Sequence, residues 1–202
     1  MGRFRFTGPN ARAHLSYVLT NDPDGLRPGE AHYTYIANEN GGAIDDAYLY
    51  QIDDDDYLLV VNADNRQKDW DWIATHNRHG SAMADVSEEL GMISLQGPAA
   101  TDVLIAALEG MQLPDAKRNR LAVADVLGRR LIIARTGYTG ESTAFEMFPD
   151  RDFTVELWER LVAAGLALAD VQEAMRQAEL EPPPAVAVTP LESAPSVAPT
   201  AE

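Results

Sequence analysis

The chain has no cysteine, which excludes disulfides and thiolate metal sites and is compatible with a reducing cytoplasm. Positive charge is scarce: 16 Lys and Arg stand against 32 Asp and Glu, a net charge of −16. So acidic a chain offers no surface to offset phosphate repulsion, which argues against nonspecific nucleic-acid binding. No apolar run reaches the length of a membrane span, and the opening MGRFRF lacks the apolar region of a secretory signal. Cytoplasmic residence and no membrane partner are the resulting expectations. Several signatures are missing too: no strand–GxGxxG–helix unit, no phosphate loop, no GxSxG or HExxH, no Ser/His/Asp set.

What is present is globular. The 202 residues are 46% hydrophobic and 24% charged, enough for one large or two small domains with a core. Residues 8–20 read as a helix, with Pro9 in the first turn and Ala11, Leu15, Val18 and Leu19 at helical spacing. After a loop at 21–29, residues 33–37, 43–52 and 57–63 read as three strands of an antiparallel meander. Asn40-Gly41-Gly42 and the acidic run 53–56 form its turns. A helix follows to about Asn77, capped by Asp64 or Asn65, with Trp72, Ile73 and His76 on one stripe, and Gly80 stops it.

Two short apolar segments, 82–86 and 92–95, lead to the Gln96-Gly97-Pro98 turn and a helix at 99–108. That helix turns Val103, Leu104 and Leu108 inward. Residues 121–126 and 130–135 read as a hairpin about Gly128, with Arg118, Arg120, Arg129 and Arg130 as its solvated ends. A helix over about 152–164 carries Val155, Leu157, Trp158, Leu161 and Val162, and Gly165 ends it. Residues 166–181 read as a further helix, and the Pro/Ala-rich 182–202 as a disordered tail. The fold class is α+β: an antiparallel meander and hairpins packed with helices.

Two stretches carry the candidate chemistry. In YTYIANENGGAIDDAYLY (33–50), the pleat puts Ile44, Asp46, Tyr48 and Tyr50 on one side and Asp45 on the other. Tyr33 and Tyr35 flank that surface from the paired strand. An acid framed by tyrosines suits a flat, nitrogen-rich ligand, which the rings stack on and the carboxylate anchors. The same spacing also fits an Asp pair satisfied by turn backbone, with the tyrosines as ordinary strand formers. In RTGYTGE (135–141), two glycines permit a tight path and close approach around Tyr138, though a plain hairpin exit fits as well.

Other features have blander readings. Asp53–Asp56 lacks the spacing of a calcium loop and reads as a solvated turn. His76 and His79 have no third ligand, so their place at a helix end reads as a dipole interaction and no metal is expected. Trp70, Trp72 and Trp158 read as core or helix-packing residues.

As a set, SYVLTND (16–22), GGAIDD (41–46), YLLVVNADNRQKDW (57–70), LQGPAA (95–100) and RTGYTGE resemble the T-protein family of the glycine cleavage system. The resemblance covers residues 1–165 and includes the family's wider folate-dependent relatives. It implies an α+β assembly around a folate channel, and an aminomethyltransferase activity. The one-carbon unit would pass from an aminomethyl group on a lipoyl carrier protein (H-protein-like) to tetrahydrofolate, with release of ammonia.

The family's key acid falls on Asp46. Its folate contacts fall on Tyr33, Tyr50, Asn62 and Tyr138, and its Phe-Glu pair on Phe145 and Glu146, after one extra residue. The pattern also departs from the family. It opens at an internal point of the family pattern, the family's folate-contacting arginine falls on Ala169, and GLALADVQEAMRQAELEPPP stands where GLGARD and LRLE are expected. The chain is thus expected to be truncated at both ends, with an opened channel. Two alternatives follow: a catalytically silent folate-binding or interaction fragment, and a folate-dependent demethylase of the same family.

Overall fold

Strict alternation shapes the first element. In Gly2–Thr7 (β1), Phe4 and Phe6 are fully buried while Arg3 and Arg5 point the other way. The expectation from sequence missed this strand, having weighed MGRFRF only against a leader peptide. The structure, a computed structural model, describes residues 1–108, 111–137 and 139–180. No helix among the described residues is long and apolar enough to cross a membrane.

Ala11–Val18 (α1) buries Ala11, His14, Leu15 and Val18 along one stripe. Glu30–Ala37 (β2), Ala43–Asp53 (β3) and Asp56–Val61 (β4) form the expected meander. β1 then pairs with β4, and Ala82–Asp85 (β5) with β1, giving an antiparallel sheet in the order β2-β3-β4-β1-β5. Arg66–Thr75 (α2) packs Ile73 into the core. Asn65 stands at its N-cap position but makes no capping bond, because its side chain turns to Asp45 instead.

The second sheet runs Ile93–Gln96 (β6), Leu121–Val126 (β7), Arg129–Ala134 (β8) and Ala144–Pro149 (β9), ordered β6-β9-β8-β7. β9 was not anticipated from the sequence. Ala100–Ala107 (α3) buries Val103 and Leu104 as expected, with Leu108 at its C-cap. The arginines around β7 and β8 are less uniform than solvated hairpin ends, since Arg120 pairs with Glu30 of β2 at 2.6 Å.

Three apolar clusters order the layers. One packs α1 and α2 on a face of the first sheet. A second lies between the sheets, where Tyr48, Tyr50, Leu58 and Val60 meet Ile132, Ala134 and Phe148. A third covers the outer face of the second sheet with α3 and, from the long helix Arg151–Leu180 (α4), residues no further along than Leu168. The α+β class, with a meander and a hairpin packed by helices, is what forms.

α4 corrects the sequence reading twice. Gly165 does not end it: the helix continues to Leu180. A mid-helix glycine costs only about 1 kcal/mol, and the surrounding AAGLALA run of alanine and leucine favours helix enough to offset that. The inward stripe is Phe153, Leu157 and Leu161, whereas Val155, Trp158 and Val162 are exposed, Trp158 by 57%. Trp158 is therefore not a core residue; it lies one step around the helix from Leu157. Residues 1–168 form one compact unit, and the helical residues 169–180 belong to a second. The expected tail at 182–202 lies outside the described residues.

Candidate functional site

The register of β2 on β3 sets the site. Tyr33 lies opposite Tyr48 and Tyr35 opposite Asp46, so all four share one face. Where the second sheet covers that face, Tyr48 and Tyr50 are buried; beyond its edge Tyr33 and Tyr35 are 38% and 45% exposed. Ile44 does not join them. The pairing slips between Ile36 and Ala37, so that Ile44 is an extra residue and packs with the helix-side cluster.

Asp46 receives two donors. The Tyr33 hydroxyl donates to Oδ2 at 2.9 Å, and Asn62 Nδ2 donates to Oδ1 at 2.8 Å. The phenol of Tyr33 is pushed above its ordinary range, first by the neighbouring Tyr35 hydroxyl, then by lost hydration and by Asp46, so it remains a donor. Asn62 follows β4 and reaches back over the sheet end, its backbone N–H and Nδ2 also donating to Asp45 at 3.3 and 3.0 Å. Burial raises the Asp45 carboxyl, but donors from Asn62, Asp69 and Asn65 overcome it and hold the group below its usual value. One amide thus serves two acids on opposite faces of β3.

Tyr50 and Glu146 form a second group. Glu146, on β9, is buried and accepts from the Tyr50 hydroxyl at 2.6 Å and from Thr136. A ladder of rings joins the two groups: Tyr33 to Tyr48 at 6.2 Å between centroids, Tyr48 to Tyr50 at 5.4 Å, Tyr50 to Phe148 at 5.2 Å. Thr136 also lines a concavity with Arg118, Gly137 and Glu141. A side chain at Gly137 would begin 2.7 Å from the Ala144 methyl carbon, so glycine is what lets the RTGYTGE loop approach β9.

Tyr33, Asp46 and Asn62 therefore come together, Tyr50 and Glu146 come together deeper between the sheets, and Tyr138 lies outside the described residues. The sequence reading missed Thr136, Asp69 and Asn119, which accepts from the Tyr48 hydroxyl at 2.5 Å. Only Asp69 carried a local signal, as an acid inside the helical stretch after Asn65.

Residues 1–181 match the model of the GCVT N-terminal domain. The chain belongs to this family. Among curated members of the GCVT family, it is 40% identical over 167 residues to an aminomethyltransferase of Chloroherpeton thalassium, covering 82% of this chain and 46% of that protein. It is likewise 40% identical to one of Geobacillus kaustophilus, over 82% of this chain and 45% of that one.

The glycine cleavage system aminomethyltransferase T of Bartonella henselae superposes with a TM-score of 0.68 at 29% identity, covering 80% of this chain and 43% of that one. A heterotetrameric sarcosine oxidase of Corynebacterium shares the fold alone, at 17% identity and TM-score 0.57, over 81% of this chain and 78% of that one. The chain spans less than half the length of the curated relatives it matches.

Proposed function

We propose that this chain carries the folate-facing part of a tetrahydrofolate-dependent aminomethyltransferase acting in the cytoplasm, with an H-protein-like lipoyl carrier as its partner. The observation that carries the reading is Asp46: a carboxylate fixed by Tyr33 and Asn62 at the rim of a tyrosine-lined face. The 40% identity to aminomethyltransferases supports it.

The residues fit the ligand. Tyr33 and Tyr35 present exposed rings for a flat heterocycle, and Asp46 adds an anchored acceptor for its N–H groups. Tetrahydrofolate, when bound, supplies nitrogens that take up the carbon as the donor's carbon–sulfur and carbon–nitrogen bonds break, releasing thiol and ammonia. Asp46 orients those nitrogens and places negative charge beside them. Asn62 holds Asp46. Tyr50 and Glu146 brace the inner wall, and Tyr138 belongs to the same set by family resemblance.

The test is calorimetric titration of tetrahydrofolate into the intact chain, followed by turnover with an aminomethyl-loaded carrier. Saturable binding lost in Asp46→Ala supports the reading, and no binding by the wild type overturns it. A second reading is a catalytically silent folate-binding or interaction fragment. Binding without turnover selects it.

A further inference from the structure

Among the described residues, Asp69 is a buried acid with both carboxyl oxygens unpartnered. It lies on the inner face of α2 with no solvent exposure, and neither carboxyl oxygen receives a hydrogen bond from an N–H or O–H of the described residues. A bare carboxylate there would bear its full desolvation cost. Lys68, next to it in the helix, sends its ammonium to the Ile44 carbonyl at 2.9 Å instead. The group Asp69 faces is another acid, Asp45.

Two carboxylates are both acceptors and repel; one proton between them makes an O–H···O bond. Asp45 already accepts from the Asn62 backbone, the Asn62 amide and Asn65, so it is the better anion. Asp69 accepts from no donor, so the shared proton belongs to it. The Asn62 amide nitrogen then points at both Asp45 and Asp46, at 3.0 and 2.8 Å.

We propose that Asp69 is a positioning residue for Asp46: its carboxyl O–H donates to Asp45, Asp45 fixes the Asn62 amide, and that amide holds Asp46. The relay crosses the sheet end, from the helix side of β3 to its aromatic side. It rests on the reading of Asp46 as the folate-facing acid. The ionisable groups acting on Asp69 are Asp45 and Asp46 of β3 and Lys68 of its own helix. Burial first, then the bond and charge of Asp45, push Asp69 up to about 7.

Two variants test it in the intact chain. Asp69→Asn keeps an N–H donor to Asp45, and Asp69→Leu removes it. Tetrahydrofolate affinity is expected to stay within about twofold of wild type in Asp69→Asn and to fall roughly tenfold in Asp69→Leu, each checked for folding by circular dichroism. Wild-type affinity is expected to decline as pH rises through about 7, while that of Asp69→Asn stays flat, a profile a purely structural role would not move.

A ligand-free readout separates this proposal from the function it rests on. Carboxyl 13C NMR should show one aspartate titrating near 7 in wild type and missing in Asp69→Asn. If Asp69 titrates in the ordinary range near ~4, the proposal is overturned. It is overturned too if Asp69→Leu binds folate as wild type does. If wild type binds no folate, the functional reading fails while the NMR titration still decides the relay.

Discussion

The Tyr50 hydroxyl, on the first sheet, donates to the Glu146 carboxylate, on the second, at 2.6 Å. Both side chains are buried, and the bond crosses the layer that holds the sheets face to face. Tyr50→Phe keeps the ring and removes this donor, leaving Thr136 to serve the acid. A loss of about 1–3 kcal/mol is expected in urea denaturation, the range for a buried charged group short of one partner.

Asp46→Asn preserves shape and removes charge. Tyr33 keeps an acceptor, but the amide cannot hold the ligand's N–H groups as a carboxylate does. Tetrahydrofolate affinity should fall by about 1.5–3 kcal/mol in calorimetry, and urea denaturation should show a loss of about 0.5–1.5 kcal/mol, because an amide offers one acceptor oxygen to the two donors Tyr33 and Asn62. Equal affinity would remove Asp46 from the site.

Asn62→Ala takes the common donor from Asp45 and Asp46 at once. Stability should drop by about 1–3 kcal/mol as two acids lose a partner. The double variant Asn62→Ala with Asp46→Asn should lose less than the sum of the singles, because the residues share one bond.

The fold should weaken from acid toward neutral pH through Asp69. Its carboxyl rises from 3.8 to about 7 on folding, so between these values the folded chain binds more protons than the unfolded one. The associated stability is complete below 3.8 and is lost as pH climbs through about 7. Asp45 is depressed and contributes oppositely, its share lost only as pH falls below 3.8. Urea midpoints for wild type and Asp69→Asn between these limits should converge as pH falls, the wild-type slope being absent from the variant.

Opposite faces of α4 should respond differently. Leu157→Ala empties a fully buried position and should cost about 2–5 kcal/mol. Val155→Ser, two residues away and exposed, should fall within about 0.5 kcal/mol. Thermal melts of the two variants check the register.

What the sequence made legible was local. The pleat alone separated Asp46 from Asp45, and the glycine turn at 40–42 announced the β2–β3 hairpin that sets Tyr33 beside Asp46. Ile44 was misplaced because a bulge breaks alternation without leaving a compositional mark. Tyr50 and Glu146 lie 96 residues apart, and no periodicity reports which strands of two sheets will face each other. There the family resemblance supplied both residues, and the structure supplied their bond. Asp69 drew no reading from the sequence; only the packing of α2 against β3 reveals it as buried. Trp158 failed for the converse reason, since an aromatic at helical spacing says nothing about which side of the helix meets the sheet.

The place of β1 has a consequence for how the polypeptide matures. It is an interior strand of its sheet, yet both of its neighbours lie far downstream, at Asp56–Val61 and Ala82–Asp85. During synthesis the β2–β3–β4 meander can close locally, because its pairings span short loops. Phe4 and Phe6 meanwhile lack their cross-strand partners Asp85 and Met83 until β5 emerges from the ribosome. A stall in translation before Ala82 would therefore leave an open strand edge and a greasy segment available to chaperones or to other nascent chains.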